Sequence, residues 1–445
     1  MDTSRRNFCL LGTAAFAEGA AARLLGASGA PAVQGETAST SLPKGGILGS
    51  APVLMNPAER SMDVVFAVNG EASGWVDVAK SPDMRKSVRV YSGDGPVMRV
   101  NGRIAIVRLK GLEPATRYWY RAGADRIEFK KGYIPQNHGP QADSRVYSFT
   151  TLGAGMKGSF CVINDTHDFK PTLDLVLSKI AELKPSVVIW NGDARSFYKT
   201  IDDAIGTFLK VHPNHPSYAA ETPIMFLNGN HDYRGRFALH LTDIIPFRDI
   251  SERDIKYASL GRNFVQRIGD IALIGLDTGE DKLDTNPLMG GILRMMEYRD
   301  LQTRWLAEEI EKPAVKTAKF KVAFCHIPLF DSRANSNPGD VFPADSDPRY
   351  SHPWAAWQRT CANLWGPLLR KAEVQLVVTG HQHVFRFDPP AKSRTWAHIV
   401  GGGPDYNPKY PFSFPTVIEG VVRNQNMSIS VYNVGNGKTA FKKEF

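Results

Sequence analysis

Hydrophobic positions along this 445-residue chain change rhythm near residue 153. Between 51 and 152 they come in short runs separated by turn residues. Val64-Val65-Phe66-Ala67-Val68 stops at Asn69-Gly70, Trp75-Val76-Asp77-Val78 alternates, and Val88-Arg89-Val90-Tyr91 stops at Ser92-Gly93-Asp94-Gly95. Ile104–Leu109 and Val146–Thr150 complete the series. Strands this short, punctuated at this spacing, predict a β-sandwich. From about 156 onward, buried-strand runs alternate with helical stripes. Phe160–Ile163 is followed by 171–184, where Leu173, Val176, Leu177, Ile180 and Leu183 share one helical face, and then by Val187–Trp190. That is a β-α-β unit. Further strands are expected at 224–227, 271–274, 322–324 and 374–378, and a helix at 298–311 with Trp305 in its apolar stripe. The tail 429–441, turning at Gly435-Asn436-Gly437, predicts a closing hairpin.

The ends of the chain's first segment read differently. Ser4-Arg5-Arg6-Asn7-Phe8 precedes an apolar stretch interrupted by Glu18 and Arg23, which closes on Ala30-Pro31-Ala32. This resembles a twin-arginine export signal over 1–32, too short and polar to span a bilayer, and implies a periplasmic or extracellular protein with no transmembrane segment in the mature chain. Residues 33–50 are expected to be a linker. Apolar residues make up 42% and charged residues 22%, as in globular proteins generally, and four cysteines exclude a disulfide scaffold. Cys161 and Cys325 lie in apolar runs and are expected to be buried thiols. The net charge is +9, with fifteen Lys and Arg against ten Asp and Glu in 51–152. The basic excess therefore lies mostly outside the second domain.

Candidate chemistry sits at the ends of the later strands. Asp165-Thr166-His167, Asn191-Gly192-Asp193 and Gly229-Asn230-His231-Asp232 follow the first three. His326 follows the fifth and Gly380-His381-Gln382-His383 the sixth. Strand C-termini in an open α/β sheet face one crevice, so these groups can converge across more than two hundred residues. Two aspartates, one asparagine and four histidines form a nitrogen and oxygen donor set suited to zinc, manganese or iron. Seven donors exceed one tetrahedral ion and match two ions sharing a bridge. Taken singly, each motif is a weak signal: Asp165-Thr166-His167 reads as a turn and His326 as a core histidine. Five in order, all after strands, are not.

In order and spacing these motifs resemble the calcineurin-like metallophosphoesterase superfamily over about 156–410, and the preceding sandwich resembles the fibronectin type III-like domain of purple acid phosphatases. The resemblance implies an α/β domain, with β-sheets sandwiched by helices, over 156–445. It implies one transition-metal ion on Asp165, His167 and His383, another on Asn230, His326 and His381, and Asp193 bridging. His231 would protonate the leaving oxygen, Asp232 would orient His231, and a metal-bridging hydroxide would attack phosphorus. The implied substrate is a small phosphate ester, with a phosphomonoesterase favoured over a phosphodiesterase of cyclic nucleotides or nucleic acid. No obligate protein partner is evident, and an inactive envelope-binding protein is the reading from another class. The chain departs from the purple branch at Ser196, where that branch carries a metal-binding tyrosine, and by possessing His167. A colourless or weakly coloured protein follows.

Other residues are weaker candidates. Leu112-Glu113-Pro114-Ala115-Thr116-Arg117-Tyr118 resembles a sandwich corner in which Tyr118 bonds back to nearby backbone. Arg195 is placed between phosphate contact and salt bridging, and Asp277, which also ends a strand near the crevice, is expected either to support the metal ligands from behind or to be structural. The Asp-, Asn-, Ser- and Pro-rich stretch 331–355, with Arg333, Arg349, Tyr350 and His352, reads as a lid or a solvated excursion.

Overall fold

The computed structural model describes residues 46–93, 95–142, 145–248, 255–329, 353–392, 394–405 and 412–445. The export signal, most of the expected linker and the expected lid up to residue 352 lie outside the described residues. Ile47 is already buried and Leu48 bridges to Val68, so the fold begins inside the stretch read as linker.

Two sheets stack face to face. The larger has nine strands, in the order Lys438–Glu444, Asn426–Asn433, Thr416–Arg423, Ser159–Ile163, Val187–Asn191, Ile224–Leu227, Val53–Met55, Ser61–Ala67 and Ile104–Lys110. The smaller has six: Phe264–Ile268, Ile271–Gly275, Phe320–Phe324, Leu376–Thr379, Ala397–Val400 and Arg386–Asp388. The sequence pattern anticipates six of these strands between residues 159 and 379, and the structure divides them between two sheets, the three within 159–227 in the larger and the three within 271–379 in the smaller.

Alternation along each strand explains the division. Phe160, Val162, Val187, Ile189, Met225 and Leu227 point from the large sheet into a core shared with Leu273, Val322, Phe324, Leu376 and Val378 of the small one. The intervening Cys161, Ile163, Val188 and Trp190 point the other way, onto Leu173, Val176, Leu177 and Ile180 of helix Lys170–Leu183. Ala272, Ala323 and Val377 likewise meet Trp305 and Leu306 of helix Met295–Glu309 and Trp365 and Leu369 of helix Pro353–Lys371. Both faces of the central strands are thus dry, which is why they read as unbroken apolar runs. Cys161, Cys325 and Cys361 are buried thiols whose pKa values burial raises.

The first module packs Met62, Val64 and Phe66 against Val76, Tyr120 and Phe149 of a separate six-stranded sheet. Tyr118 accepts a hydrogen bond at its Oη from the Glu113 N–H at 2.9 Å, the backward bond expected of the corner. The sheet does not stop at residue 153. Val53–Met55 runs parallel to Ile224–Leu227, with Met55 opposite Ile224, and Tyr120 Oη donates to the Ala220 carbonyl at 2.7 Å. Strands from the first module therefore continue the sheet whose three middle strands carry candidate chemistry at their C-terminal ends.

Candidate metal centre

Strands Ser159–Ile163, Val187–Asn191 and Ile224–Leu227 are parallel neighbours, as are Phe320–Phe324 and Leu376–Thr379. All five end on one side of the double sheet. Asn191 ties those ends together: its Nδ2 donates to the Cys325 carbonyl at 3.0 Å and to the Val378 carbonyl at 3.3 Å. Beyond the strand ends the backbone turns sharply. Asp165, His167, Asp193, His381 and His383 all adopt positive φ, between 45° and 71°. Five of the seven expected donors thus occupy a region that costs L residues energy, and such strain concentrates where function holds it. Gly229 permits a close approach to the centre: a Cβ there would stand 2.2 Å from Asp193 Oδ1.

The donors gather in two groups. Asp165, His167 and His383 form one, and Asp193, His326 and His381 the other, with the ligand atoms of each group all within 4.8 Å of one another. In the first, His167 Nε2 is 3.2 Å from His383 Nε2, and His383 Nε2 is 3.3 Å from Asp165 Oδ1. In the second, His326 Nε2 is 3.2 Å from Asp193 Oδ2, and Asn230 Oδ1 is 2.9 Å from His381 Nδ1. Asp193 Oδ2 also lies 3.7 Å from His167 Nε2, so it faces both groups. All seven sequence-derived donors are therefore in one place.

These residues fit a pair of cations. Asp165 Oδ1 and His326 Nε2 are buried and have no partner in hydrogen-bond geometry. An orphaned carboxylate oxygen and an orphaned imidazole nitrogen at the same buried spot cost several kcal/mol unless something between them accepts their lone pairs. The electrostatics agree. Burial alone would lower the His326 pKa, yet Asp193 and Asp165 outweigh it and raise it to about 10. Burial would raise Asp193, yet His326, His231 and His167 hold it well below the carboxylate range. A cavity that draws positive charge onto a buried imidazole is one that stabilises a cation. His326 Nδ1 donates to the Asn191 carbonyl at 2.8 Å, which leaves Nε2 as the atom aimed into the centre.

His231 stands at the edge of this cluster. Its ring packs edge-on against His167, with centroids 4.9 Å apart. Its Nδ1 lies 2.8 Å from the Ser196 carbonyl, which can only accept, so Nδ1 carries hydrogen and Nε2 is the ring nitrogen left for other partners. Asp232 is not its orienting partner, contrary to the expectation from the motif. The side chain of Asp232 folds back within its own 3-10 turn and accepts from the N–H groups of Gly229 and Asp193, both at 2.8 Å, and from Tyr198 Oη at 2.9 Å. Burial and the nearby Asp193 charge raise its pKa to about 7. It holds the loop that carries Asp193 and positions the centre through backbone.

The residue that does meet His231 is Arg234, unnoticed in the sequence. Its Nη1 is 3.0 Å from His231 Nε2, while Nε and Nη2 pair with Glu280 at 3.0 and 2.9 Å and Nη2 with Asp281 at 2.9 Å. Only its place three residues after His231, on the same turn, was a signal. Arg195 is paired to Asp168 at 2.6 Å and Asp203 at 2.8 Å, which places it with the salt bridges. Asp277 is buried and accepts from Tyr233, Tyr298 and the Gly279 N–H, as a structural group does. Tyr198, the tyrosine nearest the centre in sequence, is buried against Asp232 rather than aimed at the donors. Reconstituted with ferric iron, the protein is expected to show no intense visible charge-transfer band. A strong band abolished by Tyr198→Phe would overturn this.

The profile of the calcineurin-like phosphoesterase family matches residues 158–385, slightly more than half of the chain. The chain belongs to that family. The chain is 25% identical over 305 residues to Purple acid phosphatase 23 of Arabidopsis thaliana, an alignment covering 64% of its own length and 61% of the relative. It is 23% identical over 259 residues to Purple acid phosphatase 15 of the same plant, covering 55% and 45%. The chain therefore spans between about half and three fifths of these curated relatives. Among solved structures, a purple acid phosphatase from yellow lupin (Lupinus luteus) seeds is similar with a TM-score of 0.58 at 13% identity, over 89% of this chain and 75% of that one. A structure of PhoD is similar with a TM-score of 0.55, also at 13% identity, over 88% and 91%.

Proposed function

We propose that the protein is an exported, binuclear metal-dependent phosphoesterase that prefers phosphate monoesters. The observation that carries this is the pair of donor groups joined by Asp193, with Asp165 Oδ1 and His326 Nε2 buried and orphaned between them. Asp165, His167 and His383 would hold one transition-metal ion, and Asn230, His326 and His381 the other. When bound, such a pair supplies an acidified water near neutral pH and neutralises phosphoryl oxygens. The chain's own residues do the rest. The Asn191 carbonyl orients His326, the loop glycines bring Asp193 against the 229–231 backbone, and His231 Nε2 is presented to donate a proton to the leaving oxygen. For that donation Arg234 must yield its place at Nε2, which then takes a proton from solvent to give to the leaving oxygen, and a substrate phosphoryl group is the natural new partner for a guanidinium.

Monoester preference is supported by the similarity to two purple acid phosphatases, and export by Arg5-Arg6 and the apolar stretch after them. The first module, read as a fibronectin type III-like domain, would brace the sheet edge through its Met55–Ile224 pairing. Among the described residues no helix is long and apolar enough to cross a membrane.

The test is hydrolysis of p-nitrophenyl phosphate and of its bis-ester, before and after chelation, with metal content measured in parallel. The expected result is faster turnover of the monoester, loss of both activities on metal removal, and recovery with manganese, zinc or iron. Undiminished hydrolysis by verified metal-free protein would sink the reading, and faster bis-ester turnover would move it to a diesterase.

A further inference from the structure

A second kind of donor cluster lies on the outer helical layer, away from the strand ends. Asp174, on helix Lys170–Leu183, faces His212 and His215 of the loop after helix Ile201–Phe208. The loop sequence is His212-Pro213-Asn214-His215-Pro216. The His215 N–H donates to the His212 carbonyl at 3.0 Å, closing a β-turn with proline at its second position and asparagine at its third. That turn brings its first and last residues together, which sets the two imidazoles side by side with centroids 5.8 Å apart.

We propose that Asp174, His212 and His215 form a further metal site that takes a zinc-class divalent ion and clamps this loop to the helix. Asp174 Oδ1 is 2.9 Å from His215 Nε2 and 3.4 Å from His212 Nδ1, and the three ligand atoms lie within 4.8 Å of one another. Bonds of about 2.0–2.1 Å to a tetrahedral zinc ion place neighbouring donors about 3.3–3.4 Å apart, close to this spacing. It also matches the 3.2 and 3.3 Å separations among the donors of the catalytic cluster. Two imidazoles and one carboxylate are a donor set for zinc rather than for calcium or magnesium.

The site is built before any ion arrives. Lys170 Nζ donates to the Val211 carbonyl at 2.8 Å, and Tyr218 Oη donates to the Phe208 carbonyl at 2.7 Å, which pins the loop at both ends. Asn214 Nδ2 at 3.2 Å from Asp174 Oδ1, together with His215, holds the carboxyl below its ordinary pKa and so ionised. The His212 and His215 side chains are 11% and 18% exposed and Asp174 38%, so the donors are shielded while one side stays open for an ion to enter and keep water as a further ligand. Ser178 Oγ, 3.4 Å from His215 Nε2, and the Asn214 N–H, 3.3 Å from His212 Nδ1, are weak competitors that an ion would displace.

The experiment counts zinc. Wild-type protein is equilibrated with zinc, desalted and measured by elemental analysis beside Asp174→Ala/His215→Ala. The double variant is expected to hold one fewer zinc ion per chain, with p-nitrophenyl phosphate hydrolysis unchanged. In a His167→Ala/His326→Ala/His381→Ala/His383→Ala background, which removes the imidazoles of both catalytic donor groups, one zinc should remain and should be lost on adding His215→Ala. Equal zinc in wild type and Asp174→Ala/His215→Ala would overturn the proposal, as would a retained ion that survives His215→Ala. Because this site is counted separately from the catalytic donors, its failure leaves the phosphoesterase reading untouched, and the reverse holds.

Discussion

Asp193→Asn is expected to lose metal and to cut kcat/KM by about 10³-fold, the several kcal/mol that metal-ion charge stabilisation contributes. Asp193 reaches both donor groups through one oxygen, Oδ2, at 3.2 Å from His326 Nε2 and 3.7 Å from His167 Nε2. An amide of the same shape removes the charge that opposes two cations and turns an N–H₂ toward imidazoles that need an acceptor or an ion. Its other oxygen, Oδ1, accepts the His231 N–H at 2.8 Å, a bond the amide oxygen keeps, so the turn that carries His231 should stay in place. Steady-state kinetics with elemental analysis checks this, and circular dichroism separates it from unfolding. Full activity with full metal content would remove Asp193 from the mechanism.

His231→Ala is expected to behave differently: metal content unchanged and kcat lower by about 10²–10⁴-fold, the range for a positioned acid. The distinction follows from geometry. The ring touches the donor set only through an edge-on contact with His167, and its own hydrogen bonds go to the Ser196 carbonyl and Arg234. An acid acts on the leaving oxygen, so the loss should be smaller for p-nitrophenyl phosphate, whose leaving group departs without help, than for an alkyl phosphate. Equal losses on both substrates would show that His231 positions substrate and does not protonate it. Loss of metal would place it among the ligands.

Asp165, His167, Asp193, Asn230, His326, His381 and His383 were readable because each follows an apolar run, and a run dry on both faces is visible as unbroken hydrophobicity. Trp305 and the buried cysteines were readable on the same grounds, and each is buried as expected. Asp232 was not readable. Its position next to His231 suggested a side-chain pair, but adjacent residues on a tight turn point apart, and its carboxylate found three donors in the other direction. Arg234 was passed over because an arginine in sequence is most often a solvated charge; Glu280 and Asp281, which fix it beside His231, lie on another loop. The peripheral cluster was invisible for the same reason: His212 and His215 pair with an aspartate some forty residues earlier.

By itself, the sequence determined which stretches become dry strands, which residue types stand at their ends, and hence the family and the donor inventory. Those are local properties, carried by periodicity and by residues next to one another in the chain. Tertiary structure alone decided that the strands divide between two stacked sheets, that the first module's strands extend the larger sheet, and which partner each polar side chain takes. Those outcomes depend on a competition among donors and acceptors that meet only after folding, where burial makes every unpaired polar atom costly and the nearest partner is seldom the nearest in sequence.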